Sequence, residues 1–157
     1  MASHATIVEF DTNRRDEILV AMKDMKAAQS GWVNMSPAVE SEDLPPDAGP
    51  KLWSARGPLV PLCTWTPPAK KGAAPPVLIG IQHGVGAKAA PRLKELGVAV
   101  PGAWRVQNDH TRRGIVIAVP PEEKNDTVLK WLLRAGAMLC DLPYEAWIAE
   151  LYPPTSA

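Results

Sequence analysis

Apolar residues recur along this chain with two periods, two and 3.6, and the alternation between them outlines the elements. ATIVEF at residues 5–10 is a short β-branched run, which predicts a strand, with Asp11, Thr12 and Asn13 behind it as candidate helix caps. From 14 to 29, Ile18, Met22 and Met25 fall at helical spacing with Leu19 beside them, charges fill the other side, and Gly31 supplies a stop. WVNM at 32–35 reads as a second strand, KLWS at 51–54 and LCTW at 62–65 as short ones, and VLIGIQ at 77–82 as a buried one. AKAAPRLKELG at 87–97 is helical once Pro91 is placed in its first turn, and Gly97 ends it.

AWRVQ and GIVIAV flank the turn-rich NDHTRR, so 103–119 predicts an antiparallel hairpin. A helix capped by Asn125 or Asp126 follows, with Val128, Leu132, Ala135 and Leu139 in one stripe joined by Leu129, Trp131 and Leu133. Pro143 is placed to start a last short helix that turns Trp147, Ile148 and Leu151 inward, and 153–157 is expected to fray. The sum is an α+β chain of one domain over 1–157, a mainly antiparallel sheet of about four to six strands with three to four helices on one face.

Composition changes this picture in the middle of the chain. Ten of the 17 prolines lie between Pro37 and Pro76, which forbids long helices there and restricts central strands. Within that stretch, 38–50 is acidic and poor in large apolar side chains, and is expected to be a mobile surface loop. With 157 residues and 46% hydrophobic content, one core suffices without a metal or disulfide framework. Cys63 and Cys140 are 77 positions apart with no ligand-like spacing, so both read as reduced thiols, and neither a metal nor a cofactor is called for. No segment has the roughly 20 apolar residues of a bilayer span, so the expectation is a cytoplasmic protein with no membrane partner.

Seventeen basic and 17 acidic residues cancel, which disfavours binding of nucleic acid through bulk positive charge. The charges are segregated, however: 69–113 holds eight Lys and Arg against two acids, a local +6 that leaves −6 elsewhere. That region contains a GxG turn, Gly84 and Gly86, followed by Lys88 and a helix, an arrangement whose free N–H groups suit an anion. Its spacing matches neither the P-loop nor the dinucleotide fingerprint. GVGAKAAPRLKELG at 84–97 resembles the second half of a helix-hairpin-helix nucleic-acid motif, which implies a phosphate gripped by the GxG amides, although the upstream TPPAKKGAAPP leaves little room for a first helix. Arg112 and Arg113 in the hairpin turn would add forked donors if the turn and the hairpin tip converge.

His83 beside the turn and His110 beside Asp109 are the candidates for acid–base work. Six tryptophans against one Phe favour core edges and interfaces, and Trp53 and Trp65, in proline-rich surroundings, are candidate partner contacts. The leading expectation is a non-catalytic accessory or partner-binding domain with a basic anion-binding face formed by His83, Gly84, Gly86, Lys88, His110, Arg112 and Arg113. Its partner would be another protein, a second copy of the chain included, or an anionic ligand. The rivals are a phosphate or nucleic-acid binder using the glycine turn and a small-molecule enzyme using His83 or His110.

Overall fold

A computed structural model describes residues 5–44, 53–54, 57–69 and 74–154. Seven strands form one fully antiparallel sheet: β1 (Thr6–Phe10), β2 (Trp32–Pro37), β5 (Leu62–Thr66), β6 (Val77–Gln82), β7 (Arg105–His110), β8 (Gly114–Val119) and β9 (Trp147–Tyr152). Their order across the sheet is β1-β9-β2-β5-β6-β8-β7. A separate pair, β3 (Trp53–Ser54) and β4 (Gly57–Pro58), makes a small hairpin in the proline-rich middle. The helices are α1 (Asp16–Ala28), α2 (Ala89–Glu95) and α3 (Asn125–Met138), with a single 3-10 turn at Ser41–Asp43.

The expected four to six strands are therefore too few, and the fold is dominated by its sheet. The discrepancy centres on the last element, where a helix was expected and β9 is found. In WIAELY, Trp147, Ala149 and Leu151 are buried and Ile148, Glu150 and Tyr152 point the other way, a period of two that the helical reading of Trp147, Ile148 and Leu151 overlooked. Tertiary pairing decides the matter, because β9 sits between β1 and β2 and completes both ladders. Of the expected loop at 38–50, the described part includes the 3-10 turn, while 45–50 lie outside the described residues, as do 155–157 of the tail.

The large buried strand residues belong to one alternation: Val33 and Met35, Cys63 and Trp65, Ile79 and Ile81, Ile115 and Ile117, Trp147 and Ala149; of the other, the small Gly114 and Ala118 of β8 are buried too. Helices cover the side of the large residues, α1 packing on β2 and β9, α2 on β7 and β8, and α3 on β2 and β5. The chain enters α3 from β8, near one edge, and leaves it for β9, near the other, so α3 crosses the middle of the sheet. Its stripe of Val128, Leu129, Leu132, Leu133 and Ala135 is buried as the spacing predicts. Where α3 passes over Cys63, Gly136 leaves no room for a side chain: a Cβ there would lie 2.7 Å from Cys63 Sγ and 3.0 Å from Trp147 Cη2.

Neither long helix begins with the expected cap. Arg15 and Lys124 stand at the two N-cap positions without a side-chain cap. Asp126 instead accepts two bonds from the Arg15 guanidinium, Nε at 2.7 Å and Nη2 at 3.2 Å, and so ties α1 to α3. This forked pair, with Lys130 3.1 Å away, holds the Asp126 carboxyl down at about 2.

Gly136→Ala should lower stability by about 1 to 3 kcal/mol despite alanine's better helix propensity, because overpacking outweighs a gain of at most about 1 kcal/mol. The loss should shrink in a Cys63→Ala background, and strictly additive urea midpoints would show that the helix does not wedge there. A folded-state carboxyl below its ordinary value stabilises above about pH 4 and ceases to do so as pH falls toward 2. Asp126→Asn should therefore flatten the decline of the unfolding midpoint across that acid window; an unchanged slope would show that the pair does not contribute.

Candidate functional site

Among the described residues, the helices cover one face of the sheet and none covers the other, along which Val39, Leu44, Pro58 and Val60 share a hollow of about 320 Å³ with Ser36, Leu62, Gln82 and Ile148. The opposite alternation forms three rows across this bare face. The middle row runs Ile7, Glu150, Asn34, Thr64, Gly80, Val116 and Asn108, each beside the next in the strand register. On one side of it lie Tyr152 beside Trp32 and Thr66 beside Leu78 and Ala118. On the other lie Glu9, Ile148 and Ser36, then Leu62 beside Gln82, then Gly114 beside His110.

This face carries large apolar side chains among its polar ones. Ile7 is 71% exposed, Trp32 40% and Ile148 37% on β1, β2 and β9, with Leu62, Leu78 and Val116 half-buried on the strands beyond them. Trp32 stacks on Tyr152 with ring centroids 4.4 Å apart, which holds the indole as a rigid projection. At the centre, Gly80 has no side chain, and a groove of about 280 Å³ opens above it, walled by Thr64, Leu78, Gln82, Val116 and Arg113. Polar groups on the face bond to one another: Thr64 Oγ1 lies 2.9 Å from Asn34 Oδ1, and the Tyr152 hydroxyl donates to Glu150 at 2.9 Å.

The two ends of the face differ in charge. Beyond Glu9 a hollow of about 750 Å³ is lined by Glu9, Glu40, Glu42, Asp43 and Glu145. At the other end stand Arg105 on the edge strand and the hairpin tip with Arg112 and Arg113. His110 builds that tip, since its Nδ1 accepts the Arg112 and Arg113 backbone N–H groups at 3.0 and 3.2 Å.

The residues expected to form one basic face are divided. Gly84, Val85 and Ala87 line a cleft of about 440 Å³ on the helical side, with Arg92, Met138, Leu139 and Asp141, whereas Arg113 lines the groove on the bare face. Lys88 is exposed and immediately precedes α2, on the helical side. The amides that open α2 are occupied: Asp109 accepts from Ala89 at 2.8 Å and from Ala90 at 2.9 Å. The turn's own Gly86 takes φ +78, which suits glycine. Lys70 and Lys71 lie outside the described residues.

His83 is 0% exposed, its Nδ1 accepts the Val85 N–H at 3.4 Å, and its Nε2 has no partner among the described residues. Burial pushes its pKa down against the opposing pull of Asp109, so the ring is held neutral. Cys63 is likewise sealed, and burial pushes its thiol up to about 12. Trp65 lies wholly in the core and presents nothing to a partner, while the backbone of Trp53 is in β3 and its side chain lies outside the described residues.

Trp32 and Arg105 were not among the expected site residues, and Ile148, expected to turn inward, is exposed. The signal was present in WVNM, LCTW and VLIGIQ, where both alternations carry large apolar residues although helices were expected on one face alone.

Compared with protein-family models, curated proteins and solved structures, the chain matches none of them. Among the described residues, no helix is long and apolar enough to cross a membrane, and no three His, Cys, Asp or Glu side chains are placed to share a metal ion.

Asp109→Ala should cost about 1 to 2 kcal/mol, the usual loss on removing a side chain that caps helix-opening amides. Asp109→Asn, which keeps one acceptor, should fall between. A wild-type urea midpoint for the alanine variant would mean that the carboxylate does not anchor α2 to β7.

Proposed function

We propose that this chain is a non-catalytic binding domain that docks a protein partner through the bare face of its sheet. One observation carries the reading: a seven-stranded sheet has all its helices on one side and an apolar, grooved surface with a fixed tryptophan on the other. Such a surface gains from being covered, since burial is worth roughly 25 cal/mol per Å² of apolar area.

The two histidines that are candidates for acid–base work, and the buried thiol, are engaged in folding. His83 and Cys63 are enclosed, and His110 uses Nδ1 to shape its turn. Among the described residues, Arg112 and Arg113 of the hairpin tip have no carboxylate partner, and in this reading they are the polar rim of the docking surface rather than a phosphate site.

A photo-crosslinking residue at Leu78, in the groove, should give adducts of higher mass in living cells, and the same residue at Glu17 on the outer side of α1 should give none. Equal yields at the two positions, or no adduct at Leu78, would overturn the docking reading.

A further inference from the structure

We propose that the partner covering the bare face is a second copy of this chain, related by a two-fold axis that runs along β5. The proposal rests on the docking reading and adds the identity of the occupant.

The strand order places β5 in the middle, with three strands on each side. Turning a second copy about an axis parallel to β5 and facing it to the first sets β2 over β6, β9 over β8 and β1 over β7, with height along the strands preserved. Such a contact is isologous, so every pairing occurs twice. Trp32, the rigid projection on β2, then comes over Leu78 of the second copy, next to the notch that Gly80 leaves in β6. With height preserved, Trp32 meets the Leu78 wall of the groove above Gly80, and the two-fold axis repeats that contact on the other side.

Charge follows the same symmetry. The acidic hollow of Glu9, Glu40, Glu42 and Asp43 lies beyond one end of the row that finishes at His110 on the other. The axis brings that hollow opposite the Arg112 and Arg113 tip of the second copy, and the reverse at the other end. A two-fold axis running across the strands would instead set β1 over β1, acidic end over acidic end, so the charges also reject that orientation.

The size is adequate. Six inter-strand spacings of about 4.8 Å by five residues of about 3.3 Å give a projected face of roughly 500 Å². Side-chain relief enlarges the accessible area toward the ~800 Å² per partner of a standard interface. Two twisted sheets stacked about 10 Å apart and aligned within about 30° make an ordinary sandwich, here completed between two chains. The lateral bonds Thr64 to Asn34 and Tyr152 to Glu150 keep these polar groups partnered when water leaves.

Sedimentation of the full chain at micromolar concentration should give twice its 16.9 kDa mass. Thr64→Arg places two like charges face to face across the axis and should yield a folded monomer, with its circular dichroism unchanged. Arg112→Glu with Arg113→Glu should weaken the dimer at least tenfold, and adding Glu40→Lys with Glu42→Lys should restore it. A wild-type monomer, or a dimer indifferent to Thr64→Arg, overturns self-pairing. If the Leu78 crosslinker then captures a different protein, docking stands and only the identity of the occupant falls; if it captures nothing, both fall.

Discussion

A sheet has two faces, and in this chain the helices suffice for one. Most of the rest of the structure follows from that imbalance. The core is built mainly from one alternation of the strands other than the edge strand β7, and α3 crosses the middle of the sheet to close it. The crossing is tight enough that position 136 admits only hydrogen, because Cys63 and Trp147 already fill the space beneath the helix. The Arg15 and Asp126 fork then fixes α1 beside α3, so the two long helices behave as one layer. The opposite alternation receives no such cover.

A bare sheet face is commonly solvated by charged and polar side chains that bond to water. Here the central polar groups turn to each other instead. Thr64 and Asn34 share a bond, as do Tyr152 and Glu150, and Gly80 contributes no side chain. Stripping water from this surface therefore costs less than its polar composition suggests, while the apolar groups around it gain. That asymmetry separates a surface suited to docking from one that is merely exposed.

Sequence patterning located most elements because period two is strong wherever one face is buried. VLIGIQ at 77–82 and the hairpin around NDHTRR are found where expected. WIAELY was misread because proline, tryptophan and leucine spacings also fit a short helix, and only its two neighbouring strands discriminate. The site was less legible. Which alternation faces outward depends on which side the helices take, so Trp65 and Trp32, chemically alike, end in the core and on the surface. His83 stands next to a glycine turn in sequence, yet as the residue following β6 it continues the buried alternation of Ile79 and Ile81 and is enclosed. The turn and the hairpin tip are brought near the same edge, but Asp109 anchors the helix there and Arg113 lines the groove on the other face.

Zero net charge conceals the segregation that gives this face its direction. Of the basic excess in 69–113, Lys88, Arg92 and Lys94 belong to the helical side, and Arg105, Arg112 and Arg113 to the edge strand and its tip. Among the described residues these cations are thus divided between two surfaces, whereas a polyanion is gripped by many cations on one continuous surface. The three arginines at one end and the carboxylates around Glu9 at the other instead make the bare face polar along the strand order. A surface with opposite charges at its two ends and apolar residues between them fits a partner carrying the same arrangement reversed. The simplest such partner is the same chain turned through half a revolution.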